Sequence, residues 1–183
     1  AHARQRYTYY PGMARIDRLS APNITDRSYR ITADVEIPAG GAEGVVLAVG
    51  SRFAGYVLYI RGGRLHYEYA YTEAVRYTAR SDRPVPAGRH ECAFVFTKTG
   101  ERRGQGTLSI DGAPVGSVDL PRTWPVIATT GGALCGSDSG SPVSDAYTCP
   151  FAFTGTIHRV LITLDGDGGP NPGEAYRAAQ AEQ

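Results

Sequence analysis

The chain has 183 residues, enough for one domain that removes about 70% of its unfolded surface from water. Charged residues make up 20% and hydrophobic residues 42%, with a formal net charge of +1, which excludes a disordered chain and gives no concentrated basic surface for nucleic acid or an acidic membrane. No apolar run reaches the roughly 20 residues of a membrane-spanning helix, and the first residues lack the apolar stretch of a signal peptide.

In chain order, Tyr7 to Pro11 reads as a short aromatic edge strand closed by Pro-Gly. Asn23-Ile24-Thr25 matches a glycosylation sequon, but is read here as a turn. Tyr29 to Ile37 alternates, with Ile31, Ala33, Val35 and Ile37 on one face and Thr32, Asp34 and Glu36 on the other, the pattern of a half-buried strand. Val45 to Val49 and Tyr56 to Ile60 are continuous apolar runs of the kind a strand covered on both faces shows. Gly62-Gly63 closes a hairpin, because two glycines accept the positive φ angles that match strand twist, so Tyr56 to Arg61 pairs with Arg64 to Tyr69. On that second arm Leu65, Tyr67 and Tyr69 share one face, and His66 and Glu68 share the other.

Ala70 to Thr78 is polar and aromatic, and Pro84, Pro86 and Gly88 read as a connection into the strand His90 to Thr97. Asp111-Gly112 predicts a second hairpin, joining Thr107 to Ile110 with Val115 to Leu120. Pro121 to Pro150 is mostly irregular, and Phe151 to Leu164 returns to strand. Many short strands with glycine turns and no long amphipathic helix predict an all-β fold: a two-sheet antiparallel β-sandwich, a jelly roll of concanavalin A-like lectin/glucanase type. It forms one domain over residues 1–164, followed by a loose tail or short helix over 165–183, with Glu174 to Gln183 the helical stretch.

Several constellations bear on chemistry. Asp34 and Glu36 occupy the second and third positions of the Glu-x-Asp-x-Glu strand found in laminarinase-like glycosidases. Thr32 stands where the nucleophilic glutamate belongs, and retaining hydrolysis needs two carboxyls about 5 to 5.5 Å apart. His2, His66, His90 and His158 have no metal-ligand spacing. The loop Leu134 to Asp145 offers two readings: Asp138 and Asp145 supply hard oxygen ligands to calcium, or they cap turns without a metal. Tyr67, Tyr69, Tyr71 and Tyr77 either stack on sugar rings or belong to core and sheet surface. Cys92 alternates with Phe94 and Phe96 and reads as a buried thiol, while Cys135 and Cys149 bracket a loop that a disulfide would close, which would place the chain in an oxidising, extracytoplasmic compartment.

The segments Tyr9-Tyr10-Pro11-Gly12, Ile31 to Pro38, Gly40 to Val45, Gly50 to Tyr56, Arg76-Tyr77-Thr78, Asp111-Gly112, Gly140-Ser141-Pro142-Val143 and Phe153 to Ile157, in this order, resemble the C-terminal β-domain of bacterial arylsulfatases. In that family a separate α/β domain holds the chemistry, a formylglycine made from Cys or Ser in a C/S-x-P-S-R motif and a divalent metal. Ser20-Ala21-Pro22-Asn23-Ile24 lacks the Ser-Arg continuation, so no catalytic residue carries over. The resemblance implies a noncatalytic accessory domain of a sulfuric ester hydrolase, with no cofactor in this chain and with the sulfatase catalytic domain as partner, in cis or in trans; the loop carboxylates Asp138 and Asp145 leave a structural calcium open. The alternative is a carbohydrate-binding, lectin-like module; a laminarinase-like glycoside hydrolase stands third.

Overall fold

The computed structural model describes residues 5–125 and 131–166. Among them are eleven strands and no helix: β1 (Arg6–Tyr9), β2 (Tyr29–Ile37), β3 (Gly44–Ser51), β4 (Ala54–Arg61), β5 (Arg64–Ala70), β6 (Arg76–Pro84), β7 (Gly88–Gly100), β8 (Arg103–Ile110), β9 (Ala113–Leu120), β10 (Ala133–Cys135) and β11 (Thr156–Leu164). They form a six-stranded sheet in the order β1-β11-β2-β7-β8-β9 and a five-stranded sheet in the order β10-β3-β4-β5-β6, every pairing antiparallel.

The alternation of β2 is realised along its whole length: Tyr29, Ile31, Ala33, Val35 and Ile37 are buried, and Arg30, Thr32, Asp34 and Glu36 face outward. The Gly62-Gly63 turn has φ of 58° and 71°, so the hairpin forms as its sequence requires. Between the sheets the core is unusually aromatic. Tyr67 of β5 stacks on Phe94 of β7 with ring centroids 3.4 Å apart, and the hydroxyls of Tyr29 and Tyr67 lie 2.5 Å from each other. The hydroxyl pair solves the problem each tyrosine poses in a core, where an unpaired O–H is costly. Burial drives the Tyr29 phenol well above its ordinary pKa, and the bond to Tyr67 only partly offsets this.

Three features depart from the sequence reading. The stretch before Gly88 is the strand β6, an edge of the smaller sheet, and Leu134 lies in β10, which pairs with β3. The strand after Pro150 begins at Thr156, not Phe151. Residues 151–154 instead run beside the start of β3: Val45 donates to the Phe151 carbonyl at 2.9 Å and Thr154 donates to the Glu43 carbonyl at 2.8 Å. The edge of β3 is thereby covered by β10 and then by this segment, which removes a row of open backbone groups. Gly44, with φ of 113°, is required here because a Cβ would collide with the Ala152 carbonyl. The expected helix over Glu174 to Gln183 lies outside the described residues.

At the start of β7, His90 Nδ1 is 2.6 Å from Asp111 Oδ2 and His90 Nε2 is 3.1 Å from the Ala87 carbonyl. Two acceptors on the two ring nitrogens suit the doubly protonated imidazolium. Its pKa is raised, mainly by the Asp111 hydrogen bond, and that of Asp111 is lowered, mainly by His90. A raised histidine pKa stabilises the fold fully below the unfolded value of about 6.5 and loses that contribution as pH rises through the folded pKa. The Asp111 contribution is present above the usual carboxylate range and is lost as pH falls through its lowered pKa. His90→Gln should therefore lower the melting temperature relative to wild type at pH 5.5, with the gap closing toward pH 8.5 and in high salt; a gap independent of pH would show that the ion pair is not its source.

Candidate functional site: a clamped loop over the five-stranded sheet

The two outer faces of the sandwich differ in character. That of the five-stranded sheet is apolar, carrying Val45, Ala48, Val57, Tyr59 and Ala70, and the loop between β10 and β11 folds over it with Val143, Tyr147, Cys149 and Phe151. This explains why β3 and β4 read as continuous apolar runs: their second face is buried under a segment some ninety residues later in the chain.

Polar groups fix the loop in place. Glu68, outward on β5 and only 5% exposed, accepts from Arg76 Nη1 at 2.7 Å and from the Ser144 hydroxyl at 2.6 Å. Arg76 also donates to the carbonyls of Val143 and, at 3.2 Å, Arg52, so one guanidinium joins β6, the β3–β4 turn and the loop. Asp138, 2% exposed, accepts from the backbone of Ser139 at 2.8 Å and of Val143 at 2.9 Å, and from the Tyr147 hydroxyl at 2.6 Å. Burial and the neighbouring Asp138 carboxylate push the Tyr147 phenol far above its usual pKa, so it remains a donor. Arg15, outside the loop, reaches Ser139 Oγ at 2.7 Å.

Beside this clamp lies a cavity of about 520 Å³. Tyr147 and Phe151 stack on its floor with centroids 5.0 Å apart, and Arg61, Glu43, Asp145 and Thr148 form its rim. Phe151 is half-buried, and the Arg61 side chain and Thr148 are exposed. The arrangement joins an apolar ring surface with hydrogen-bonding groups of both signs.

The residues singled out in the sequence fall in different places. Of the pair proposed for calcium, Asp138 is saturated by the loop's own donors, while Asp145 is exposed and approaches Arg76 Nε at 3.4 Å. Among the described residues no group of three or more His, Cys, Asp or Glu side chains is placed to hold a metal ion. Tyr67 and Tyr69 lie in the core at 0% and 2% exposure, so they present no stacking surface. Tyr71 and Tyr77 are half-buried at the end of the same sheet, but Arg122 sits over the Tyr71 ring at 4.8 Å and donates to the Tyr77 hydroxyl at 3.2 Å, occupying both. Asp34 receives both Nε and Nη2 of Arg89, at 2.9 and 2.7 Å, and Glu36 lies 3.2 Å from His158 Nε2. Neither carboxylate of the strand that resembles a glycosidase is free. Asn23 is buried and accepts from the Thr25 amide at 3.1 Å, a turn within the sequon.

Cys135 and Cys149 are free thiols, not a disulfide. The reason is topological: Cys135 packs into the core between the sheets, whereas Cys149 packs on the outer side of the smaller sheet. Burial pushes the Cys92 and Cys135 thiols up to about 12, and burial with Asp138 nearby raises that of Cys149. One equivalent of a thiol reagent should enter the native protein, slowly and at Cys149, with all three of its cysteines reacting after denaturation; two rapid equivalents before unfolding would contradict these burials.

Sequence reasoning missed Phe151, Tyr147 and Arg61. The legible signal was the aromatic run Tyr147, Phe151, Phe153 directly after the Gly/Ser-rich loop, too dense in large rings for a linker.

No family model matches the chain, and no curated protein sequence does. Solved structures do. The LG4–5 domains of the mouse laminin α1 chain align with a TM-score of 0.57 at 16% identity over 90% of this chain and 47% of theirs. The CBM40 domain of the Ruminococcus gnavus IT-sialidase, bound to α2,3-sialyllactose, aligns with a TM-score of 0.56 at 17% identity over 90% of this chain and 92% of its own. The LG1–3 region of the laminin α2 chain aligns with a TM-score of 0.54 at 16% identity over 91% of this chain and 33% of that region. The chain thus spans about half of the laminin α1 fragment and nearly all of the CBM40 domain. At these identities the likeness establishes the architecture: an all-β, two-sheet antiparallel sandwich of the jelly-roll type seen in laminin G and CBM40 domains.

Proposed function

We propose that this chain is a noncatalytic, lectin-like carbohydrate-binding module whose site is the cavity beside Tyr147 and Phe151. The observation that carries the reading is an aromatic floor on a loop that buried charges hold rigid. A pyranose offers an apolar C–H face to a ring and hydroxyl edges to charged groups, and Phe151 with Arg61, Glu43 and Asp145 matches both. A loop fixed before the ligand arrives loses little freedom on binding, which favours affinity. The sialyllactose complex of a CBM40 domain lends the reading support at the level of shared architecture. The test is a broad glycan array probed with the full chain: a set of related glycans should bind, and a blank array would sink the reading.

A second reading, an accessory domain of an arylsulfatase-like sulfuric ester hydrolase, is favoured by where the resembling segments meet. Arg76-Tyr77-Thr78, Gly50 to Tyr56 and Gly140 to Val143 converge on the Arg76 guanidinium, and Gly40 to Val45 adjoins Phe153 to Ile157. Such segments serve the scaffold, so a catalytic domain in cis or in trans would hold the formylglycine and divalent metal. This reading expects no sulfate release from an aryl sulfate by the chain alone; measurable turnover would end it. The two readings are compatible, since a sulfatase acting on a glycan gains from a module that holds the glycan.

A further inference from the structure

The outer face of the six-stranded sheet carries no covering segment among the described residues, and one irregularity there changes what the face presents. Strand β11 bulges against β2 between Ile157 and Arg159. Ile157 and Val160 both point into the core, so the bulge turns two successive residues, His158 and Arg159, toward solvent where a regular strand would offer one. His158 meets Glu36, and Arg159 stands in register with Asp34.

Asp34, however, is already held on both oxygens by Arg89, and across the next strand the two oxygens of Asp111 are taken by His90 and the Glu91 amide. The Arg159 guanidinium therefore makes no hydrogen bond or ion pair among the described residues, and its charge reaches Asp34 only through space. The Glu91 carboxylate and the Thr32 hydroxyl are likewise uncommitted. All three line a cavity of about 260 Å³ floored by the Asp34–Arg89 pair. Arg159 and Glu91 flank Asp34 on neighbouring strands, so their backbones are about 10 Å apart, a gap that one substituted hexose ring fills.

We propose that this cavity is a second ligand site, for an anionic sugar. With the internal pairs cancelled, one guanidinium and one carboxylate remain. They ask for a ligand with an anion at one end and hydroxyl donors at the other. Arg159 takes the carboxylate or sulfate of the sugar as a charge-assisted pair, and Glu91 and Thr32 bind ring hydroxyls. The proposal rests on the carbohydrate-binding reading for its ligand class and on none of the loop residues.

The test is an NMR titration of the full chain with glucuronate, with N-acetylglucosamine 6-sulfate and with uncharged N-acetylglucosamine, on wild type, Arg159→Ala and Phe151→Leu. Arg159 is exposed, so its variant keeps the fold, which an unchanged melting temperature checks. Shifts around Thr32, Glu91 and Arg159 are expected with at least one anionic sugar, and the arm that responds tells carboxylate from sulfate. Arg159→Ala should weaken that binding about tenfold or more and Phe151→Leu should leave it unchanged. Equal binding by Arg159→Ala, or anionic sugars that never shift this face while a neutral glycan still binds through Phe151, would overturn the second site alone. Absence of binding by every glycan would remove the carbohydrate reading with it.

Discussion

Arg76→Ala is expected to lower stability by about 3 to 5 kcal/mol, because it leaves the Glu68 carboxylate buried without its cation. In a chain of this size that corresponds to a fall in melting temperature of about 6 to 20 °C. The side chain of Arg76 is 15% exposed and that of Glu68 6%, so the pair is far from the solvent-screened surface pairs that contribute little. The lower end of the range applies if the loop lifts and admits water to Glu68. Hydrogen exchange separates the cases: the Val143 and Ala146 amides, bonded to Asp138 and Ser144, should lose protection before the β4–β5 hairpin does. Glu68→Leu combined with Arg76→Leu should recover much of the loss, since an apolar pair leaves no orphaned charge. A melting temperature of Arg76→Ala within a degree or two of wild type would show that the guanidinium does not clamp the loop.

Phe94→Ala should cost about 3 to 5 kcal/mol for a different reason, a cavity in the middle of the sandwich. Phe94 is fully buried, stacks on Tyr67 across the two sheets and lies 6.1 Å from Tyr29 by ring centroid. Its ring also fills the space that Gly106 leaves open on β8, since a Cβ there would strike it. Neighbouring rings are rigid, so the void collapses poorly and the cost stays high. Tyr67→Phe provides the contrast: the shape is kept, but the Tyr29 hydroxyl loses its partner, for a loss of about 1 to 3 kcal/mol. Chemical denaturation of the two variants checks the order, and a Phe94→Ala protein as stable as Tyr67→Phe would refute cross-sheet packing as the dominant contribution.

The fold was legible where a strand or its turn carries its own local signal, whichever strand it pairs with. The β2 alternation and the Gly62-Gly63 and Asp111-Gly112 turns are local signals, and each strand they mark is present. Strand β6 was not legible because its sequence RYTARSDRP offers only Ala79 and Ser81 to the interior, among charges that suit an edge. Strand β10 has three residues and owes its existence to pairing with β3, more than eighty residues earlier. The candidate site was the least legible part. Glu68 reads only as sharing with His66 the face opposite Leu65, Tyr67 and Tyr69, and nothing near it in sequence reveals that Ser144 and Arg76 will enclose it. The tyrosines at alternate positions of β5 were correctly placed on one face with Leu65, but their value as sugar platforms failed with their burial, while the exposed ring, Phe151, lay on the covering loop. The aspartates that suggested calcium meet backbone amides, a hydroxyl and a guanidinium, partners that come from the folded loop and from Arg76 and that the sequence around them does not reveal.

Calorimetric titration of the full chain with the strongest binder from a glycan array, repeated on Phe151→Leu, asks most directly whether the clamped loop is a binding surface. Loss of the ring face with retention of apolar volume should weaken affinity about tenfold at a nearly unchanged melting temperature. Equal affinity in the two proteins, or an array without a binder, would mean that the cavity beside Tyr147 holds no sugar.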